Sequence, residues 1–209
     1  MSRLRDWITQ PYRRYPMLTG MLLPLVVVAA VVMESVLMKP EAPAVDPLGR
    51  SALTLAAERG ESERVMAMLD DGTAVDAGDA CGWTALMKAA AQGHLEMLEA
   101  LLARGADPEH RDQAGYTPLM VAVVNGEEAT SRALLEAGAR VDSIDDEAGW
   151  SSLTWAAKDG RLQLVTLLLA YGADPGHVAG DGTTPLEWAK ENEHQEVALH
   201  LEAAMQETG

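Results

Sequence analysis

The 209-residue chain has no phenylalanine and a single cysteine, Cys81. One cysteine excludes an internal disulfide framework and a thiolate metal cluster. With aromatics at only 4% of residues, the core has to be built from leucine, methionine and alanine rather than from large rings. Positive charge is also scarce, since 16 Lys and Arg side chains stand against 32 Asp and Glu, for a formal net charge of −16. Residues 1–44 hold five of the basic groups and only three acids, which leaves the remainder near −18. A surface of that sign repels nucleic acid and anionic headgroups; it favours a basic partner, or serves simply for solubility. No GxSxG, HExxH, phosphate-loop or CxxC pattern occurs. Nothing in the sequence therefore assigns a catalytic residue, a cofactor, a metal or a small-molecule substrate, and the chain reads as a non-enzyme.

What the sequence does contain is a repeat. Copies begin at Gly49, Gly82, Gly115, Gly149 and Gly182, at spacings of 33, 33, 34 and 33 residues. A fixed period in this range means stacked supersecondary units. The third residue of each copy is a hydroxyl placed to cap a helix (Ser51, Thr84, Thr117, Ser151, Thr184), with Pro118 and Pro185 at the favoured first helical position. A short helix follows, carrying Leu at the fifth position and Ala at the eighth, so that one supplies the buried contact and the other lets helices approach closely. Gly60, Gly93, Gly126 and Gly160 close that helix. A second helix buries the pairs Met68-Leu69, Leu101-Leu102, Leu134-Leu135 and Leu168-Leu169 and ends at Gly72, Gly105, Gly138 and Gly172. Arg64 in the first copy takes a place that is apolar in the second and fourth, and in the last Glu202 replaces the second Leu of the pair and Glu193 the glycine, as terminal caps require.

The residues TALM from Thr84, TPLM from Thr117 and TPLE from Thr184, the AAxxGH ending at His94, and GAD at Gly105 and Gly172 resemble the ankyrin repeat. The resemblance covers about three quarters of the chain in five in-register copies. It implies an all-α solenoid of five helix-turn-helix repeats over residues 49–209, with partners bound on the hairpin tips and concave face. The family's usual His after TPL is replaced by Thr54, Met87, Met120, Thr154 and Glu187, so its Thr to His bonding is not expected. Ser131, where other copies have Val65, Leu98 and Val165, would bury an unpaired hydroxyl and is the expected weak point.

Residues 1–16 hold Arg3, Arg5, Arg13 and Arg14 interleaved with Trp7, Tyr12 and Tyr15, a composition suited to a membrane interface. Met17 to Met38 is an apolar run of 22 residues with one charge, Glu34, long enough to cross a bilayer. The expectation is one N-terminal transmembrane helix at 17–38 acting as a signal anchor, with the N-terminus cytoplasmic and the repeats outside. A cleaved signal peptide is the competing reading, because Ala42-Pro43-Ala44 forms an Ala-x-Ala site. Glu34 either reaches the interface or pairs with a polar group of another membrane subunit. Residues 39–48, with Pro40, Pro43 and Pro47, form a semi-rigid spacer that at about 3.1 Å per residue reaches on the order of 30 Å. Twelve Arg to four Lys points to a bacterial source, and hence to an inner-membrane protein with a periplasmic repeat domain.

Candidate site residues come from the second position of each copy: Arg50, Trp83, Tyr116, Trp150 and Thr183. In ankyrin repeats this position lies on the tips, so Trp83, Tyr116 and Trp150 would form a ladder that either anchors a protein partner or packs against neighbouring tips. Asp112, Asp145, Asp146 and Glu147 near the tips make an acidic edge available to the same partner. Trp155 and Trp188, on the first helices, are expected to be buried between repeats. His94 and His194 share one repeat position, a structural one. His110 and His177 share another but lie two repeats apart, roughly 20 Å at about 10 Å per helix layer, too far to share a metal. The function that follows is a non-catalytic, membrane-tethered interaction scaffold, an accessory subunit of an inner-membrane assembly with a basic or membrane-associated partner. The alternative, by resemblance in layout to exported bacterial ankyrin proteins, is assistance to haem enzymes in peroxide defence.

Overall fold

The computed structural model describes residues 49–208. Among them ten helices fall into five pairs: α1 (Ala52–Glu58) with α2 (Ser62–Asp70), α3 (Ala85–Ala91) with α4 (Leu95–Ala103), α5 (Pro118–Asn125) with α6 (Glu128–Glu136), α7 (Ser152–Lys158) with α8 (Leu162–Ala170), and α9 (Pro185–Glu191) with α10 (Gln195–Thr208). Each first helix starts where a hydroxyl caps it: the side chains of Ser51, Thr84, Thr117, Ser151 and Thr184 accept the backbone N–H three residues on. Thr54 and Thr154, standing where the family's His would be, join these caps through Ser51 and Ser151. Met87 and Met120 at the same position are instead fully buried.

The first helices stack α1 on α3, α3 on α5, α5 on α7 and α7 on α9, while α4, α6, α8 and α10 form a second layer. Alanine sets the spacing of the first layer: Ala56, Ala89, Ala122, Ala156 and Ala189 are all at 0% exposure. Leu101, Leu134, Leu168 and Leu201 are buried to the same degree between the layers. The expected pairs are buried only in part: Leu134 and Leu135 are both buried, Leu102 and Leu169 are half-buried beside Leu101 and Leu168, and in the first copy both Met68 and Leu69 are half-buried. Ser131 is at 0% exposure as expected, but its hydroxyl is not unpaired: it donates to the Glu127 carbonyl at 2.7 Å, one turn back.

Between helix pairs the chain turns through a hairpin tip. Asp79 N–H donates to Trp83 O, Asp112 to Tyr116 O and Asp145 to Trp150 O, at 2.9, 3.1 and 3.1 Å. Neighbouring tips are joined by Ala80 N–H to Gly49 O, Gln113 to Cys81 O, Asp146 to Ala114 O and Gly180 to Ala148 O. Opening glycines of inner copies are needed for this apposition. At Gly82, φ is +86° and a Cβ would lie 3.2 Å from Asp112 Cα. At the last helix pair Glu193 replaces glycine yet still takes φ +62°.

Among the described residues no helix is long and apolar enough to cross a membrane. The span expected at 17–38 with Glu34, the segments 1–16 and 39–48, and the Ala42-Pro43-Ala44 site all lie outside the described residues.

Candidate functional site

The tips position the candidate aromatics through aspartate side chains. Asp79 Oδ1 accepts from Cys81 and Trp83 N–H, each at 2.9 Å, and Asp112 Oδ1 accepts from Ala114 and Tyr116 N–H at 2.9 and 2.8 Å. Asp145 Oδ1 takes three amides, of Glu147, Ala148 and Gly149, at 3.1, 2.8 and 3.1 Å. Short polar side chains that bond their own backbone are what such turns use. The four acids predicted to form one edge therefore divide. Asp145 is 3% exposed and Asp112 half-buried, both tied into the backbone, whereas Asp146 and Glu147 are at the surface. Asp146 is paired with Arg111 at 2.7 Å, and that guanidinium also donates to Ile144 O.

Trp83, Tyr116 and Trp150 are all half-buried rather than fully exposed, and Trp83 and Tyr116 pack against the core. They share the same tip position, but the ring contacts follow another path. Tyr116 meets Trp155 with centroids 6.0 Å apart; Trp155 meets Trp150 at 4.6 Å and 64°, and Trp150 meets Trp188 at 4.9 Å and 65°. The last two are edge-to-face packings of the kind aromatic quadrupoles favour. Trp155 and Trp188 are thus not buried between repeats as expected. The seventh position of a copy places its ring beside the tip rings of its own and the preceding repeat, and both tryptophans remain half-buried on that face. The signal was present in the spacing, because the second and seventh positions of a copy flank the same helix start.

The three indoles of this run each have a polar partner for the N–H: Trp150 donates to Asp181 Oδ2 at 3.2 Å, Trp155 to Asp145 Oδ2 at 3.4 Å, and Trp188 to Thr183 Oγ1 at 3.0 Å. Two lysines lie over the rings. Lys88 Nζ is 4.4 Å from the Trp83 ring centre, and also 3.7 Å from Glu58 and 4.0 Å from Asp79. Lys158 Nζ sits 5.4, 5.7 and 5.9 Å from the centres of Trp155, Trp150 and Trp188. Burial, and then the charges of Asp145, Glu147 and Asp112, push the Tyr116 phenol above its ordinary value, which marks this end of the groove as electronegative. Hydrogen bonds from Thr183 hold Asp181 below its ordinary value.

Four of the five histidines sit against backbone of the repeat stack, and His200 is exposed. His110 Nε2 bonds Gly82 O at 2.9 Å and His177 Nε2 bonds Gly149 O at 2.8 Å, each tying the end of a copy to its own opening glycine, whereas His194 Nε2 bonds Lys158 O of the preceding repeat at 3.0 Å. His94, at the position equivalent to His194, lies against Gly60 with Nε2 buried and without a hydrogen-bond partner. Among the described residues no group of three or more His, Cys, Asp or Glu is arranged to hold a metal ion.

Paired helices stacked in register, with hydrogen-bonded tips and a groove of side chains along the first helices, define a helical-repeat solenoid. The family model for ankyrin repeats matches residues 29–112, 79–145, 105–179 and 143–206, and the chain belongs to the ankyrin-repeat family. That family is in general a non-catalytic protein-interaction fold. Among characterised proteins, the chain is similar to the ARF GTPase-activating protein GIT1 of Homo sapiens, 38% identical over 63 residues, which is 30% of this chain and 8% of that protein. The ARF GTPase-activating protein Git of Drosophila melanogaster is 45% identical over 53 residues, 25% of this chain and 7% of that one. The similarity thus spans less than a tenth of the length of these relatives.

Proposed function

We propose that this protein is a membrane-tethered interaction scaffold whose ankyrin groove holds a protein partner, with the repeats on the periplasmic side of a bacterial inner membrane. The observation that carries the binding reading is the unbroken run of rings Tyr116–Trp155–Trp150–Trp188 along one face of the stack. Half-buried tryptophan and tyrosine are the usual anchors of protein interfaces. The tether is supported by the apolar stretch 17–38 behind four arginines, and a role for Glu34 toward another membrane subunit goes with it. Residues 49–209 carry 11 basic against 28 acidic groups, which favours a basic partner.

The test is recovery of co-purifying proteins from gently solubilised membranes, with Trp150→Ala and Trp155→Ala beside the native chain and melting followed by circular dichroism. Loss of the partner with the fold retained supports the reading; an unaltered partner list with a large fall in melting temperature defeats it. The exposed Cys81 reports the side of the membrane. A membrane-impermeant thiol reagent labels it in intact cells if the repeats are periplasmic, and only after lysis if they are cytoplasmic.

A further inference from the structure

The groove already contains a cation, and the two lysines that could fill that role are held very differently. Lys88 is 14% exposed and locked by two carboxylates besides the Trp83 ring. Lys158 is 33% exposed, has one carboxylate, Asp159, at 3.9 Å, and stands 5.4 to 5.9 Å from three ring centres. Those distances are at the outer edge of the roughly 6 Å within which a cation is attracted by a ring face. An ammonium shared so loosely among three indoles is a weak occupant of the site they form. The indole N–H groups of Trp150 and Trp155 are bonded to the carboxylates of Asp181 and Asp145, which leaves electron density on the ring faces. Asp145, Glu147 and Asp112 add a negative potential at the Tyr116 end.

Resting on the groove reading above, we infer that the tryptophan cluster of Trp150, Trp155 and Trp188 is a receptor for an arginine or lysine side chain of a basic partner segment, and that Lys158 occupies it until the partner displaces it. A guanidinium is the better fit, since its plane stacks on indole faces while its donors reach carboxylates at the rim. The acidic surface of the domain brings such a segment to the groove.

The experiment titrates the full chain in detergent with an octa-arginine peptide, and separately with an octa-glutamate peptide, by calorimetry at constant salt. Lys158→Met removes the resident ammonium but keeps its stem, and is expected to tighten octa-arginine binding about fivefold. Lys190→Met is the charge-matched control: its lysine pairs with Glu202 at 2.7 Å, away from the rings, and its affinity should stay within about twofold of the native value. Trp155→Ala is expected to weaken binding at least tenfold with the melting profile retained.

Equal effects of the two lysine variants would reduce the attraction to the domain's general field and overturn the proposal. Weaker octa-arginine binding on Lys158→Met would show that Lys158 does not compete for the site, and preference for octa-glutamate would make the groove a site for an acidic partner; either overturns the proposal. If Trp155→Ala fails to fold, the lysine pair still decides. Partner recovery that depends on Trp150, combined with octa-arginine binding indifferent to Lys158, would leave the interaction face standing and remove only the cation site.

Discussion

Trp155 donates its indole N–H to Asp145 Oδ2 at 3.4 Å, while the other oxygen of that carboxylate accepts three backbone amides of the following turn. One nearly buried side chain therefore shapes the fourth repeat's tip and orients a groove tryptophan. In Asp145→Ala the three amides lose their acceptor, at a cost of about 2 to 3 kcal/mol. For a domain of this size that lowers the melting temperature by about 5 to 10 °C, measured by scanning calorimetry. A shift below about 2 °C would show that water replaces the carboxylate.

Gly126 and Gly138 both have left-handed backbones, at φ +84° and +93°, but different surroundings. A Cβ at Gly126 runs into the Arg161 guanidinium, which donates to Val124 O at 2.9 Å, whereas nothing lies within 4 Å of one at Gly138. Gly138→Ala should cost only the left-handed conformation, about 1 kcal/mol. Gly126→Ala should cost that and the displaced Arg161 bond, about 2 to 3 kcal/mol together. Equal costs in urea titrations would show that Arg161 moves aside freely.

The two hydroxyls of α6 do different work. Thr130 Oγ1 donates to Ala90 O of the preceding repeat at 3.0 Å, and Ser131 Oγ donates within its own helix. Thr130→Val should cost about 1 to 2 kcal/mol by breaking a buried link between repeats. Ser131→Ala should change stability by less than about 1 kcal/mol, because alanine's helix propensity offsets the lost bond. The reverse order in chemical denaturation would refute this assignment.

Tyr116 carries a pH signature. Its phenol is raised first by burial and then by the negative charges of Asp145, Glu147 and Asp112. The folded state therefore holds this proton more tightly than the unfolded chain, whose value is near 10. The contribution is complete below that value and is lost as the pH climbs through the higher folded one. Tyr116→Phe should flatten the alkaline fall in stability. Glu147→Gln should lower the Tyr116 midpoint seen in tyrosinate absorbance; an unmoved midpoint would show that Glu147 is screened from the ring.

Much of the fold was legible because the repeat states its own grammar. The capping hydroxyls, the eighth-position alanines and the turn glycines are local requirements, and each was found where the 33-residue spacing put it. The site was legible only in part. Trp83, Tyr116 and Trp150 share one position in the copy, so a ladder along the tips was the natural reading, but ring contact depends on distances between repeats. Trp83 turned to Lys88, while Trp155 and Trp188 entered the groove from the first helices. Similarly, Asp145 and Asp146 are adjacent and chemically identical, yet one is buried under three amides and the other pairs with Arg111 at the surface.

The sequence by itself determined the family, the number of repeats, the helix starts and stops, and the excess of negative charge, because these follow from bonding within a few residues or from composition. Only the tertiary structure decided which rings touch, which carboxylates are consumed by backbone amides, that Ser131 is satisfied, and that Lys158 rests among three tryptophans. The ring contacts of Tyr116 with Trp155 and of Trp150 with Trp188 join side chains more than 30 residues apart, while the bonds of Ser131 and Asp145 are local ones chosen by side-chain conformation, which the residue pattern leaves open. The pattern within one repeat specifies a helix pair; the angle at which the next repeat stacks upon it places the groups that make the groove.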